Sequence, residues 1–242
     1  SNNIFIDKNS KLTNLVGEIS LKKNDVISAE IRSKINNKND FSLSIKTNSR
    51  DEKVTNLFIE EPEPFIKNYK FIKGFTEGKL SYGSIEKNNE TKANLKIFDF
   101  KVQDVPVLAK LLTLASLQGI ADILTGEGIR FNEFEMNYES NQSLTNINEM
   151  YAIGPAISIL MEGYIDRNKL TSLRGTLVPA TTINKTISKI PLLGDILVGK
   201  KVGEGVFGVS FKIKGPPKDL KTSVNPINCL LYTSPSPRDL LK

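Results

Sequence analysis

The chain has 242 residues, 39% of them apolar and 25% charged, enough for one ordinary globular core or two small ones. It has no histidine, no tryptophan and one cysteine, so a kinase catalytic loop, a histidine-dependent serine triad and a cysteine-zinc cluster cannot be assembled, and no catalytic, cofactor-binding or metal residue is assigned. The net charge of +6 is modest and scattered, which points to no nucleic-acid partner.

The sequence opens mid-pattern at "SNNIFIDKNS" without a visible signal peptide, and is expected to be a piece of a longer protein truncated at both ends. Ser20 and Lys23 fit S-x-x-K, but no S-D-N or K-T-G partner accompanies them, so no serine–lysine nucleophile is assigned. Ile27, Ala29, Ile31 and Ile35 fall on one parity, with Ser28, Glu30, Arg32 and Lys34 on the other. Period two predicts a half-buried strand. "NNKND" at 36–40 is a turn signal, and Phe41, Leu43 and Ile45 alternate behind it. A short strand is predicted over 56–59. "EEPEP" at 60–64 reads as an acidic proline turn rather than a metal site. Aromatics interleave with lysines at 69–75, but at strand spacing, which makes a core face rather than a base-stacking surface. Strands over 79–85 and 93–102 flank "KNNET" at 87–91.

Two segments then break the alternation. Asp104 is placed to cap a helix over 105–124, with Pro106 in its first turn and Gly126 at its end. This helix is apolar on nearly every side, so it must be buried or face lipid. Its length would just span a bilayer, but Lys110 and Asp122 would each cost about 3 kcal/mol at the centre of one. Strands follow over 129–138, 144–153, 157–165 and 170–177, separated by "ESNQS" and "DRNK". Closely spaced strands joined by short polar turns predict an antiparallel meander. The inward parity of each strand stays open.

The second break is "VPATTINKTISKIPLLGDILVG" at 178–199. Pro179 is read as opening a helix that Pro191 interrupts, and Leu192, Leu193, Ile196 and Leu197 as a short apolar turn closed by Gly199. Gly203, Gly205 and Gly208 then spell G-x-G-x-x-G. A dinucleotide fingerprint needs a strand before the glycines and a helix after them, and here the predicted order is reversed. No nucleotide is therefore expected. The glycines are read as a turn into a last long strand over 206–213.

Residues 229–239 read "CLLYTSPSPRD", which matches one reading frame of a transposon-end sequencing adapter. The tail 229–242 is therefore expected to be artefactual and no part of the fold. It carries Arg238, Lys242, Asp239 and the only cysteine, so without it the net charge falls by one.

From Gly74 to Ile227 the order of elements, with "IPLLGDIL" and a following "VNP", resembles the C-terminal region of AsmA-like envelope proteins. The resemblance implies a periplasmic location in a diderm bacterium, within a long protein anchored in the inner membrane. It also implies strands curled into a gutter with an apolar lining that carries lipid. The residues agree: one-sided strands, excess apolar surface and no catalytic groups. The fold expected is mainly β, a curved antiparallel meander forming a groove covered by the two apolar helices. The division expected is a repeating strand segment over 1–73, an AsmA-like region over 74–228 and the tail.

The function expected is to shelter phospholipid acyl chains between membranes, with an envelope protein as a possible partner; the alternative is a docking module that carries no lipid. The expected lipid-contact residues are Leu108, Leu111, Leu112, Leu117 and Ile120 on the first helix, Ile190, Leu192, Leu193, Ile196 and Leu197 on the second, and Phe207, Val209 and Phe211 on the last strand. Phe131, Phe134 and Ile159 are expected on the same sheet face. Lys189, Lys200 and Lys201 suit a membrane surface beside the second apolar segment.

Overall fold

Asparagine sets a two-residue hairpin between two long strands. Lys87 and Glu90 pair directly, and the two residues between them, Asn88 and Asn89, have φ of 52° and 63°. Two positive φ values give a turn whose twist matches that of the strands, and asparagine adopts them more readily than most residues. Elsewhere side chains hold the turns: Asp166 Oδ1 accepts hydrogen bonds from the amides of Asn168 and Lys169, and Asn141 Oδ1 accepts from those of Ser143 and Leu144.

The computed structural model describes residues 3–23, 25–67, 73–179, 208–217 and 219–225. The strands are β1 (Asn3–Phe5), β2 (Lys11–Lys22), β3 (Asp25–Ile35), β4 (Asn39–Thr47), β5 (Lys53–Ile59), β6 (Lys73–Lys87) and β7 (Glu90–Gln103). They continue with β8 (Ile129–Ser140), β9 (Leu144–Ile153), β10 (Ile157–Asp166), β11 (Thr171–Pro179), β12 (Val209–Gly215) and β13 (Lys221–Asn225). The helices are α1 (Glu63–Ile66), α2 (Pro106–Leu114) and α3 (Gln118–Thr125). All 13 strands form one open antiparallel sheet in sequence order, with β1 and β13 at its edges. The meander read from the sequence is thus present. One sheet also runs through residue 73, since β5 pairs with β6 from Lys53 opposite Glu86 to Ile59 opposite Leu80.

Several expectations are corrected. The predicted helix over 105–124 is two short helices, separated at Ser116, whose φ is 58°. A left-handed residue cannot continue a helix, so the chain turns there. Val105, not Asp104, occupies the N-cap of α2, without a side-chain cap. "EEPEP" does not remain a turn: Pro62 begins the one-turn helix α1. Val178 and Pro179 end β11 opposite Ser158 and Ile157, so Pro179 does not open a helix. A proline fits a strand end because it need not donate to the ladder. The last long strand lies at Val209–Gly215. Strands β1, β2 and β13 carry no prediction. Residues 69–72 of the strand predicted over 69–75, residues 180–199 of the second apolar segment, Gly203 and Gly205, and the tail from residue 229 lie outside the described residues.

Inward parity changes within strands. Asp99 has φ 51°, and this left-handed residue puts Ile97 in the same buried cluster as Phe100 and Val102. β9 carries one extra residue, Asn148, against both neighbours, which shifts the inward set from Ala152 and Met150 to Ile147. Bulges of this kind bend a strand and re-aim its side chains.

Buried residues gather in two clusters. The larger joins α2 and α3 to the sheet: Leu108, Leu111, Leu112 and Leu124 share it with Phe100, Phe131, Leu177, Val209 and Phe211. Phe100 stacks between Phe75 and Phe131, each ring centroid 5.5 Å away. The smaller comprises Leu12, Ile35 and Ile59, flanked by Phe41 and Phe65. α2 follows β7 in the chain yet touches β13 at the far edge, while α3 touches β7.

Candidate functional site

Residues directly opposite one another in an antiparallel ladder lie on the same face. Following the registers across the sheet therefore traces its faces. Ile31 of β3 lies opposite Leu43 of β4, Leu43 opposite Leu57, Leu57 opposite Tyr82, and Tyr82 opposite Leu95 of β7. Leu95 lies opposite Met136, then Met150, Met161, Gly175, Phe211 and Val224 of β13. One unbroken apolar row thus crosses the sheet. From Ile31 to Met161 its members are half-buried. Beside it runs a more deeply buried row through Ile59, Leu80, Ile97, Phe134, Ala152, Ile159, Leu177 and Val209.

The opposite face is largely polar. Ser42, Phe58, Ser81, Lys96, Glu135 and Tyr151 form its corresponding row. Asn94 Nδ2 donates to Glu135 Oε1 at 2.6 Å and to Asn137 Oδ1 at 2.7 Å. Lys96 Nζ lies 3.0 Å from Glu135 Oε2, and the Tyr151 hydroxyl 2.6 Å from the same oxygen. Burial opposes the charge on Glu135, but the hydrogen bonds from Tyr151, Lys96 and Asn94 outweigh it and hold its pKa below the ordinary range. Burial first, and then the bonds to Glu135 and Glu133, push the Tyr151 hydroxyl well above the usual phenol range. The network is internally satisfied, which suits a structural surface. Leu160 interrupts the polarity of this face, at 1% exposure.

The apolar face also carries Ser33, Thr55 and Ser84, and a tyrosine pair. Tyr82 and Tyr138, which flank β7 from either side, are hydrogen-bonded through their hydroxyls. Burial and this bond raise the pKa of Tyr138. No group of acidic, histidine or cysteine side chains among the described residues could hold a metal ion. A pocket of about 100 Å3 at the ends of β7 and β8, lined by residues such as Lys92, Glu139 and Asn146, is polar and lies apart from the apolar row.

The predicted contact residues are brought together only in part. Leu108, Leu111 and Leu112 are buried in the larger cluster, with Leu117 and Ile120 packed against it. Val209, Phe211 and Phe131 are buried there too, and Phe134 and Ile159 border it. Ile190, Leu192, Leu193, Ile196, Leu197, Phe207, Lys189, Lys200 and Lys201 lie outside the described residues. Leu108, Leu111 and Leu112 on α2 are core residues. The half-open members of the row, Leu43, Leu57, Leu95, Met136 and Met150, were not among the predicted contact residues. Finding them needs the register, although hairpin pairs such as Asn88–Asn89 do anchor it locally. No helix among the described residues is long and apolar enough to cross a membrane. Searches against protein-family models, curated proteins and solved structures found no match to this chain.

Proposed function

We propose that this protein is a non-enzymatic lipid-handling module whose apolar sheet face shelters phospholipid acyl chains in passage between the membranes of a diderm envelope. The observation that carries the reading is the unbroken half-buried row from Ile31 to Met161, set against a hydrogen-bonded polar face behind it. The seven strand spacings of this stretch cover roughly 34 Å at about 4.8 Å each. One leaflet's chains occupy roughly 15 Å, half the hydrocarbon core of a bilayer. The row is therefore long enough for an acyl chain to shift along it while staying out of water, at about 0.8 kcal/mol per sheltered methylene.

A curled sheet would turn this row into a gutter, and the contact between α2 and β13 supports such curling. Laid flat, β7 and β13 would stand roughly 29 Å apart. α2, which follows β7 after a short link, is only about 14 Å long. In this reading α2 and α3 cover the deeper row at Ile97, Leu177 and Val209, and the row from Ile31 to Met161 stays open beside them. Periplasmic location, the inner-membrane anchor, contact with a membrane surface and kinship with AsmA-like proteins belong to the same proposal and rest on the resemblance from Gly74 to Ile227.

Photo-crosslinking tests it. A photoreactive residue at Leu43, Leu57 or Leu95 should capture phospholipid, whereas one at Ser42, Asn56 or Lys96 on the opposite face should not. Equal capture on both faces, or none on the apolar one, would sink the proposal and favour a docking module without lipid.

A further inference from the structure

We propose that Met136, Met150 and Met161 form the section of the apolar row that admits bent acyl chains, those with a cis double bond, and so sets which chains the row accepts. The inference rests on the acyl-chain reading above. The chain contains only three methionines, and they occupy three successive, directly opposed positions on β8, β9 and β10. All three are half-buried. A thioether side chain is unbranched, has three rotatable bonds and is polarisable, so it reshapes around an irregular partner where leucine or isoleucine cannot.

The surroundings set this strip apart from the rest of the row. The extra residue Asn148 bulges β9 against both neighbours two residues from Met150. A bulge at this point bends the strand next to the strip. Beyond Met161 the next cross-strand position is Gly175, where an added Cβ would meet Leu160 O at 2.1 Å and Phe211 Cζ at 2.5 Å. The Phe211 ring thus occupies the place of a side chain and marks one end of the strip. Leu95, stiffer and branched, marks the other. Gly163, the next residue of β10 on this face, presents no side chain either, and its φ of 134° suits only glycine. The row is therefore compliant at the methionines and rigid on both sides, which is what a kinked chain requires of its wall.

The test uses the full chain, loaded from vesicles of dioleoyl-phosphatidylglycerol or of dipalmitoyl-phosphatidylglycerol, with bound lipid measured by mass spectrometry. Wild type should load both. The Met136→Leu, Met150→Leu, Met161→Leu triple variant should keep the saturated lipid and lose the dioleoyl lipid about tenfold, the scale of an overpacked contact. Peroxide footprinting of wild type gives a second readout that needs no variant: dioleoyl loading should protect all three thioethers together from conversion to sulfoxide. Equal loading of both lipids by the variant, or thioethers oxidised alike with and without lipid, would overturn the strip and leave the acyl-chain reading standing. Wild type that loads neither lipid would overturn both.

Discussion

β2 to β5 and β7 to β12 are written in the same alternating code, yet they bury it to different degrees. In the first region Ile31, Leu43 and Leu57 are half-buried, and Ile19 on β2, opposite Ala29, is exposed at 55%. Its hydrophobic cluster is the small group around Leu12, Ile35 and Ile59. In the second region Ile97, Leu177, Val209 and Phe211 are buried, because side chains of α2 and α3 share their cluster. Alternation fixes which face is apolar. The removal of that face from water depends on what lies across from it.

The largest test of this contrast is a buried charge. Leu112 is 0% exposed, so Leu112→Asp should cost more than about 4 kcal/mol and unfold the helix-bearing region. Leu43→Asp on the half-open face should cost about 1 kcal/mol or less and leave the circular dichroism spectrum intact. Matching losses in urea titrations of the two variants would erase the distinction between the regions.

Glycines probe the same contrast at smaller scale. Gly175→Val should destabilise by roughly 1–3 kcal/mol or more, since its Cβ would collide with backbone as well as with Phe211. A Cβ at Gly83 would meet only Asn56 Oδ1 at 3.7 Å, so Gly83→Ala should stay within about 0.5 kcal/mol of wild type. A tolerated Gly175→Val would mean that β11 and β12 pack more loosely than described.

Acid sharpens the comparison further. Hydrogen bonds depress Glu30, which bonds to Ser44 and Lys46, and Glu60, bonded by the Asp40 amide and Lys79; the Arg130 guanidinium does the same to Glu77. Glu135 is depressed despite its burial. A depressed carboxylate contributes stability that is fully present above its ordinary pKa of 4.5 and is lost as pH falls through its folded value. Stability should therefore be flat above about pH 5 and fall below it. Salt should weaken the contribution of Glu30 and Glu60, whose side chains are 37% and 30% exposed, more than that of Glu135 at 15%. Glu135→Gln should make the acid limb shallower, and an unchanged limb in pH-dependent thermal melts would refute its role.

The smallest effect expected is at Ile19. Ile19→Lys sits on a strand already open to water, so its melting midpoint should match that of wild type within the equivalent of about 0.5 kcal/mol. A large loss would reveal that this stretch of β2 is covered.

Much of the architecture was legible in the residues. Period-two alternation at Phe41, Leu43 and Ile45, asparagine-rich turns and the apolar stretch after Asp104 are local signals, and local signals survive in a sequence. β13 escaped notice because five residues are too few to establish a period. The single helix over 105–124 was misjudged because one left-handed residue, Ser116, divides it, and serine carries no strong mark of that conformation. Leu108, Leu111 and Leu112 could be recognised as needing burial, since apolar area alone requires it.

The composition by itself excluded histidine-based chemistry, and the period-two pattern with its turn signals specified an amphipathic sheet joined by short turns. The tertiary structure alone decided inward parity, because Asp99 and the Asn148 bulge each shift the inward set, and a one-residue slip sends a side chain to the other face. It alone aligned three methionines from separate hairpin arms in one row and brought α2 to β13. Such alignments depend on register summed over many strands. No short window of sequence holds that sum, because each bulge changes it by one residue.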